Sequence, residues 1–421
     1  MRKKLPLFLL ALAAAACSAD APSPEISVTS VGAVSQAATP SLVEVTGFGS
    51  NPGALKLYAH VPAALRPGAP LLLVMHGCTQ TAADATRYGF DTLADANGFV
   101  VGYPEQQTAN NPLRCFNWAG EYGNPANVTR GQGENLSIKQ MVDKLVADHK
   151  LDPKRVFVAG FSAGAAEALL AAATWPDVFA GAASIAGIPF NCTTTYAEVS
   201  SCQKPGKTFT ADAWGDKVRA AHPTFTGPWP KISVWQGASD TVVGPSNRAQ
   251  ITKQWSNVHG LPEAPQVTDT VDGQKHEAWK SASGAVVVES YEIAGMDHGV
   301  PIMAGCGTAG AYAYDKGICA SVRIAEHFGL VGSSATPTPS TDGGSAADAG
   351  AKPSGPSGSA GPDASGPSGG TNAAEDADYG SRNGSTCSMQ VGATRTSALS
   401  LVALGLVVAA QVVRRRSRRQ P

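Results

Sequence analysis

The chain is poor in charge: 15% of its 421 residues are charged, and aromatic residues make up 7%. Lys and Arg together number 32 against 33 Asp and Glu, but the balance conceals an uneven distribution. Acidic residues are missing from both ends. Residues 1–16 carry Arg2, Lys3 and Lys4, and residues 387–421 carry Arg395, Arg414, Arg415, Arg416, Arg418 and Arg419. Without those nine, 23 basic residues face 33 acidic ones, a formal charge of −10 for the body of the chain. An acidic body with no basic stripe argues against a nucleic-acid partner. His, Cys and acidic residues nowhere gather at metal-ligand spacing, so neither a metal nor another cofactor is expected.

Apolar bulk is missing from residues 331–386. The run SSATPTPSTDGGSAADAGAKPSGPSGSAGPDASGPSGG consists of small, polar and turn-forming residues that cannot bury enough surface to fold, and it reads as a linker.

Long apolar runs occur at the two ends. Residues 1–17, MRKKLPLFLLALAAAAC, combine a basic start, an apolar stretch and a small-residue end, the pattern of a secretory signal. Ala14-Ala15-Ala16-Cys17 also has the form of a lipoprotein site with Cys17 as the lipidated residue, although leucine is more usual three positions before the cysteine. Ordinary cleavage after an A-x-A site is the alternative. Residues 18–39 then form a spacer. At the other end, CSMQVGATRTSALSLVALGLVVAAQVVRRRSRRQP places an apolar run between Cys387-Ser388 and an arginine cluster. It resembles the bacterial C-terminal sorting tails of the MYXO-CTERM type, which implies Cys387 as the processing and anchoring point. A plain membrane anchor is the other reading, and both put the folded part on the far side of the membrane from the arginines.

Export leaves the cysteines in an oxidising compartment. Of the eight, Cys17 and Cys387 lie at the processing segments, and the remaining six allow about 15 connectivities. Proximity along the chain favours Cys192–Cys202 and Cys306–Cys319, which leaves Cys78–Cys115. A free buried thiol among the six stays open.

Residues 40–330 alternate strand and helix patterns. LKLYAHVP (55–62), PLLLVMHG (70–77), FVVGYPE (99–105), VFVAG (156–160), GAASIAG (181–187), KISVWQG (231–237) and VVVESYEIAG (286–295) read as strands. ENLSIKQMVDKLVADHK (134–150) and NRAQITKQWSNVH (247–259) read as helices. The alternation predicts one α/β domain with a mostly parallel central sheet and helices on both faces.

VFVAGFSAGAAEALLAAAT (156–174) drives a strand through Gly160-Phe161-Ser162-Ala163-Gly164 into a helix. A sharp strand-to-helix turn exposes its serine and brings backbones so close that only small residues fit, which makes Ser162 a candidate nucleophile. The helix start aims its free N–H groups at the site where an oxyanion forms, and the first of them is on Ala163. Such a serine needs a base and an orienting acid, in the chain order Ser, Asp or Glu, His on later strand ends. Asp240, just after KISVWQG, and His298, just after VVVESYEIAG, meet that order. The competing residues fit less well: Asp297 points elsewhere on its loop, Asp177 positions a helix, and His276 precedes the last strand. His149, His222, His259 and His327 sit in or near helical patterns as packing or surface residues. The second oxyanion donor is placed on the loop after LLLVM, at Cys78, and a Cys78–Cys115 bond would fix it in advance. Phe116, Trp118, Tyr122 and Trp214 either line an acyl groove or pack the interior.

The segments HGCTQ, YPEQ, CFNW, RGQGEN with SIKQMVDKLV, GFSAGA, WPDVF, GPWP with SVWQGASDTVV, and GMDHG with FGL occur in this order. In them the chain resembles the polyhydroxybutyrate-depolymerase-type esterases of the alpha/beta-hydrolase superfamily, relatives of secreted feruloyl and acetylxylan esterases. The resemblance covers residues 40–330. It implies an alpha/beta-hydrolase fold, a Ser162–Asp240–His298 triad, Cys78 and Ala163 as oxyanion donors, and no cofactor. It also implies a secreted or surface-anchored hydrolase whose partner is an ester substrate, either a polyester or its oligomers or a feruloyl or acetyl ester on plant polysaccharide. Two rivals stand beside it: a surface binding protein that keeps the fold without turnover, and a peptidase using the same triad chemistry.

Overall fold

The computed structural model describes residues 42–120 and 124–332. The segments 1–17, 18–39 and 387–421, with Cys17 and Cys387, lie outside the described residues, as does all of 331–386 but its first two residues. Among the described residues, no helix is long and apolar enough to cross a membrane.

Seven strands read from the sequence are present as β2 (Lys56–His60), β3 (Leu71–Met75), β4 (Val100–Glu105), β5 (Val156–Phe161), β6 (Gly181–Ile185), β7 (Lys231–Gly237) and β10 (Val286–Ile293). β3, β5 and β6 are buried along their whole length, which is why they read as continuous apolar runs and not as alternation. β1 (Val43–Glu44), β8 (Val267–Val271) and β9 (Gln274–Lys280) extend the sheet to ten strands in the order β1-β2-β4-β3-β5-β6-β7-β10-β9-β8. Neighbours from β4 to β10 run parallel. Both edges are antiparallel. A short pair, β11 (Val300–Ile302) and β12 (Ala313–Asp315), follows.

Alternation along β5 divides the interior into two layers. Val156 and Val158 face one, which is filled by α3 (Gly133–His149), α4 (Ala163–Thr174), α6 (Ala211–Ala221) and α7 (Ser246–Val258) through residues such as Leu145, Leu169, Val218 and Trp255. Phe157, Ala159 and Phe161 face the other, packed by α1 (Ala82–Ala85), α2 (Phe90–Asn97) and α8 (Ala320–Phe328). The remaining α-helix, α5 (Val199–Gln203), is joined through the Cys192–Cys202 bond to the loop that follows β6. Helices on both faces of a mostly parallel sheet make this the α/β architecture expected from the sequence.

The β8–β9 hairpin has no apolar period because most of β8 is exposed. It is attached by the antiparallel ladder of β9 on β10 and by buried Trp279, and buried Arg248 on α7 adds ties to Glu277 of β9 at 2.5 Å, Glu292 of β10 at 2.6 Å and Ser290 Oγ at 2.9 Å. A strand held this way leaves little trace in a hydropathy pattern.

Candidate active site

The turn at Ser162 shows why glycine flanks it. A Cβ on Gly164 would lie 2.5 Å from the carbonyl oxygens of both Met75 and His76, and a Cβ on Gly160 would run into the backbone of Gly164. Ser162 itself has φ 55° and ψ −119°, a strained conformation for a residue with a Cβ. Its N–H donates to Ile185 O at 2.9 Å, and its own carbonyl accepts from Ala165 and Ala166 as α4 begins. The side chain is thereby turned away from the helix and into a cleft.

Two later loops meet it there. His298 Nε2 lies 2.9 Å from Ser162 Oγ, and His298 Nδ1 lies 2.8 Å from Asp240 Oδ2. Asp240 is buried, and its other oxygen accepts from the N–H groups of Val242 and Val243 at 2.9 and 2.8 Å. Gln236 Nε2 donates to Oδ2 at 2.9 Å. The carboxylate is thus held by four donors and has one orientation.

Asp297 does not touch Ser162. Its Oδ1 accepts from Thr241 N–H and from His298 N–H, both at 2.8 Å, and so pins the loop of Asp240 to the loop of His298. Those backbone donors hold its carboxyl below the usual range. Asp177 pairs with both guanidinium nitrogens of Arg130, which lies over the Trp175 ring. His276 pairs with Asp269, and buried His327 faces Glu289 at 3.4 Å.

Cys78 is disulfide-bonded to Cys115, Cys192 to Cys202 and Cys306 to Cys319. The first bond joins the loop after β3 to the loop after β4, and Thr79 N–H reinforces it by donating to Leu113 O at 2.6 Å. Beneath this loop, buried His76 points Nδ1 at Gly77 O at 2.7 Å, and its Nε2 accepts from Gln106 N–H at 3.1 Å. Burial lowers its pKa, and one donated with one accepted hydrogen bond is the neutral ring.

Cys78 and Ala163 line the cleft beside Ser162, with Trp118, Ile188 and Val243 as apolar walls and a volume of about 170 Å³. Of the aromatics named from the sequence, Trp118 is on the cleft. Phe116 and Trp214 are fully buried, and Tyr122 lies outside the described residues.

Sequence reasoning missed Glu134. It is buried at the start of α3, where Oε1 accepts from Gln106 Nε2 and Asn117 Nδ2 and Oε2 accepts from Asn117 N–H at 2.9 Å. Asn117 Oδ1 in turn accepts from Asn111 Nδ2 at 3.0 Å, and Asn111 lines the cleft. Glu134 therefore fixes the whole wall between Gln106 and Trp118. The only signal was a glutamate in the first turn of an otherwise ordinary helix, which the helix dipole explains equally well.

Burial pushes the Glu134 pKa up to about 7 against the hydrogen bonds from Asn117 and Gln106. The folded chain then keeps this proton to higher pH than the unfolded chain does. The stabilisation is complete below the ordinary value of 4.5 and is lost as pH rises through about 7. Glu134→Gln cannot titrate and sets an N–H₂ against the Asn117 N–H, so it should cost about 1–3 kcal/mol. It should also flatten the fall in unfolding free energy between about pH 5 and about pH 8 in urea titrations. An unchanged slope would exclude Glu134 as its source.

The family model described as "Esterase PHB depolymerase" matches residues 54–277, more than half of the chain. The chain belongs to this family. Poly(3-hydroxyalkanoate) depolymerase C of Paucimonas lemoignei is 47% identical over 71% of this chain and 73% of its own length. An acetylxylan esterase of Coprinopsis cinerea is 32% identical over 62% of this chain and 69% of its own. Among solved structures, the acetyl xylan esterase from Aspergillus awamori superposes with a TM-score of 0.59 at 26% identity, covering 69% of this chain and all of that one. The fold is that of the alpha/beta-hydrolase esterases, and the chain is a carboxylic ester hydrolase.

Proposed function

We propose that this chain is an exported serine esterase that depolymerises a poly(3-hydroxyalkanoate) or its oligomers through an acyl-enzyme. The observation that carries the reading is the hydrogen-bonded line from Ser162 Oγ through His298 to the buried Asp240, opening into an apolar cleft. The 47% identity to a depolymerase supports the substrate class.

Ser162 Oγ attacks the ester carbonyl while His298 Nε2 takes its proton. Asp240, held by its four donors, keeps Nδ1 as the protonated nitrogen and stabilises the imidazolium. The tetrahedral oxyanion is received by the N–H of Ala163, at the start of α4, and that of Cys78. The alcohol half leaves with the proton from Nε2. Water, activated by the same imidazole, then releases the acid.

A second reading, an acetyl or feruloyl esterase on polysaccharide, draws on the 32% identity to an acetylxylan esterase and the similarity to the Aspergillus awamori structure. Export is part of the proposal and is supported by three disulfides, which persist outside the cytoplasm. Removal of residues 1–17 and processing or anchoring at Cys17 or Cys387 belong to it too.

The test is product release by the full chain, oxidised, from amorphous polyhydroxybutyrate, feruloylated xylan and acetylated xylan in parallel. Soluble hydroxybutyrate is the expected product. Ferulate or acetate alone would move the chain to the second reading, and none of the three would overturn both.

A further inference from the structure

The cleft has an apolar lining with one polar side chain left over. Trp118, Ile188, Val199 and Val243 supply hydrocarbon around Ser162, as expected for a site that takes an acyl chain. Asn111 lines it too, but its amide is committed: Nδ2 donates to Asn117 and Oδ1 accepts from Leu113 N–H at 3.0 Å. Gln203 is different. It lines the cleft at the end of α5 and is half-buried, and its side-chain amide has no hydrogen-bond partner among the described residues.

The backbone that carries this amide is held fast. Gln203 O accepts from Gly244 N–H at 2.8 Å and from Asn247 Nδ2 at 3.1 Å, and Asn247 is fully buried. Gly244 follows Val243, whose N–H donates to Asp240, so one continuous loop positions both the acid and Gln203. On the other side, Cys202 is bonded to Cys192. A half-buried carboxamide with an uncommitted donor and acceptor, on an anchored main chain beside apolar walls, is placed to exchange its water for a hydrogen bond to a ligand.

We propose that Gln203 is a specificity-determining residue whose carboxamide hydrogen-bonds an oxygen carried by the bound acyl group. The cleft then favours esters of hydroxy acids over esters of unsubstituted acids of equal length. This rests on Ser162 being the nucleophile of an esterase. The chemistry fits both oxygen types that such an acyl group presents. A free hydroxyl both donates and accepts, and it can meet either end of the amide. The ester oxygens of a following repeat only accept, and they would take the N–H₂. An unsubstituted acyl chain leaves the amide desolvated and unpaired, which is how a polar group in a pocket rejects a ligand.

The measurement is kcat/KM for 3-hydroxybutyrate and butyrate esters of one phenol, on the wild-type full chain and on Gln203→Leu and Gln203→Met. The wild type should prefer the hydroxy ester. Both variants should lower the hydroxy-to-plain ratio about tenfold, the worth of one ordinary hydrogen bond. A ratio, taken on one preparation, is independent of how much of the variant is folded. If the ratio stays where it was, whether the two rates hold or fall together, the inference is overturned. A wild-type chain that hydrolyses neither ester would instead overturn the esterase reading beneath it.

Discussion

Ser162→Ala should lower kcat for ester hydrolysis by about 10⁶-fold, leaving what the cleft and the N–H groups proposed as oxyanion donors supply by themselves. The three side chains form one hydrogen-bonded unit, so their losses should not add. Asp240→Asn should cost about 10⁴-fold, and the double variant should be no slower than Ser162→Ala alone. The tautomer explains the Asp240 effect. Oδ1 must keep accepting from Val242 and Val243, so an asparagine turns its N–H₂ toward His298. Nδ1 is then an acceptor, Nε2 carries the hydrogen, and the ring cannot take the Ser162 proton. A fluorophosphonate probe checks the assignment directly: it should label the wild type at Ser162 and fail on Ser162→Ala. Undiminished hydrolysis by that variant would remove Ser162 from the chemistry.

Gly164→Ala is the second large effect, and it acts on the fold and the site together. The added methyl meets two backbone carbonyls at 2.5 Å, on Met75 and His76, and neither can rotate away. Either β3 and the loop of Cys78 retreat, or α4 does, and the N–H groups proposed to receive the oxyanion lie on both sides. The expected cost is about 3 kcal/mol or more, a fall of roughly 6–12 °C in Tm for a domain of this size. Activity should drop well beyond the fraction unfolded. Gly332→Ala, which meets nothing within 4 Å, serves as the control and should stay within about 0.5 kcal/mol. A folded Gly164→Ala chain of full activity would mean that α4 and β3 part without disturbing the site.

The buried strands were legible because β3 and β5 carry unbroken apolar runs and β6 and β7 are short buried runs interrupted only by Ser184, Ser233 and a few flanking polar residues. The serine turn was legible because its glycines answer a steric demand made within a few residues. Asp240 and His298 could be placed because each follows directly on a strand whose end faces the same cleft. Family membership followed from the same segments, most of which lie within residues 54–277, with the His298 segment beyond them.

The β8–β9 hairpin was not legible. An edge hairpin with β8 mostly exposed, attached by a backbone ladder, one buried Trp279 and the ties of Arg248 to Glu277 and Glu292, has no apolar period to detect. Glu134 was hidden for a related reason. Its partners Gln106 and Asn117 come from loops 28 and 17 residues away, and hydrogen bonds between loops have no period.

By itself the sequence determined what depends on near neighbours: the runs that become buried strands, the small residues that let a serine turn form, and the order in which Ser162, Asp240 and His298 follow their strands. Only the tertiary structure decided what depends on distant ones. The loop packing put His298 between Ser162 and Asp240, gave Asp297 the task of joining two loops, and aimed Trp118 into the cleft while burying Phe116 and Trp214. The reason is physical. Sterics and hydropathy act within a turn or a strand, whereas a hydrogen bond across 58 or 136 residues exists only once the sheet has brought the strand ends together.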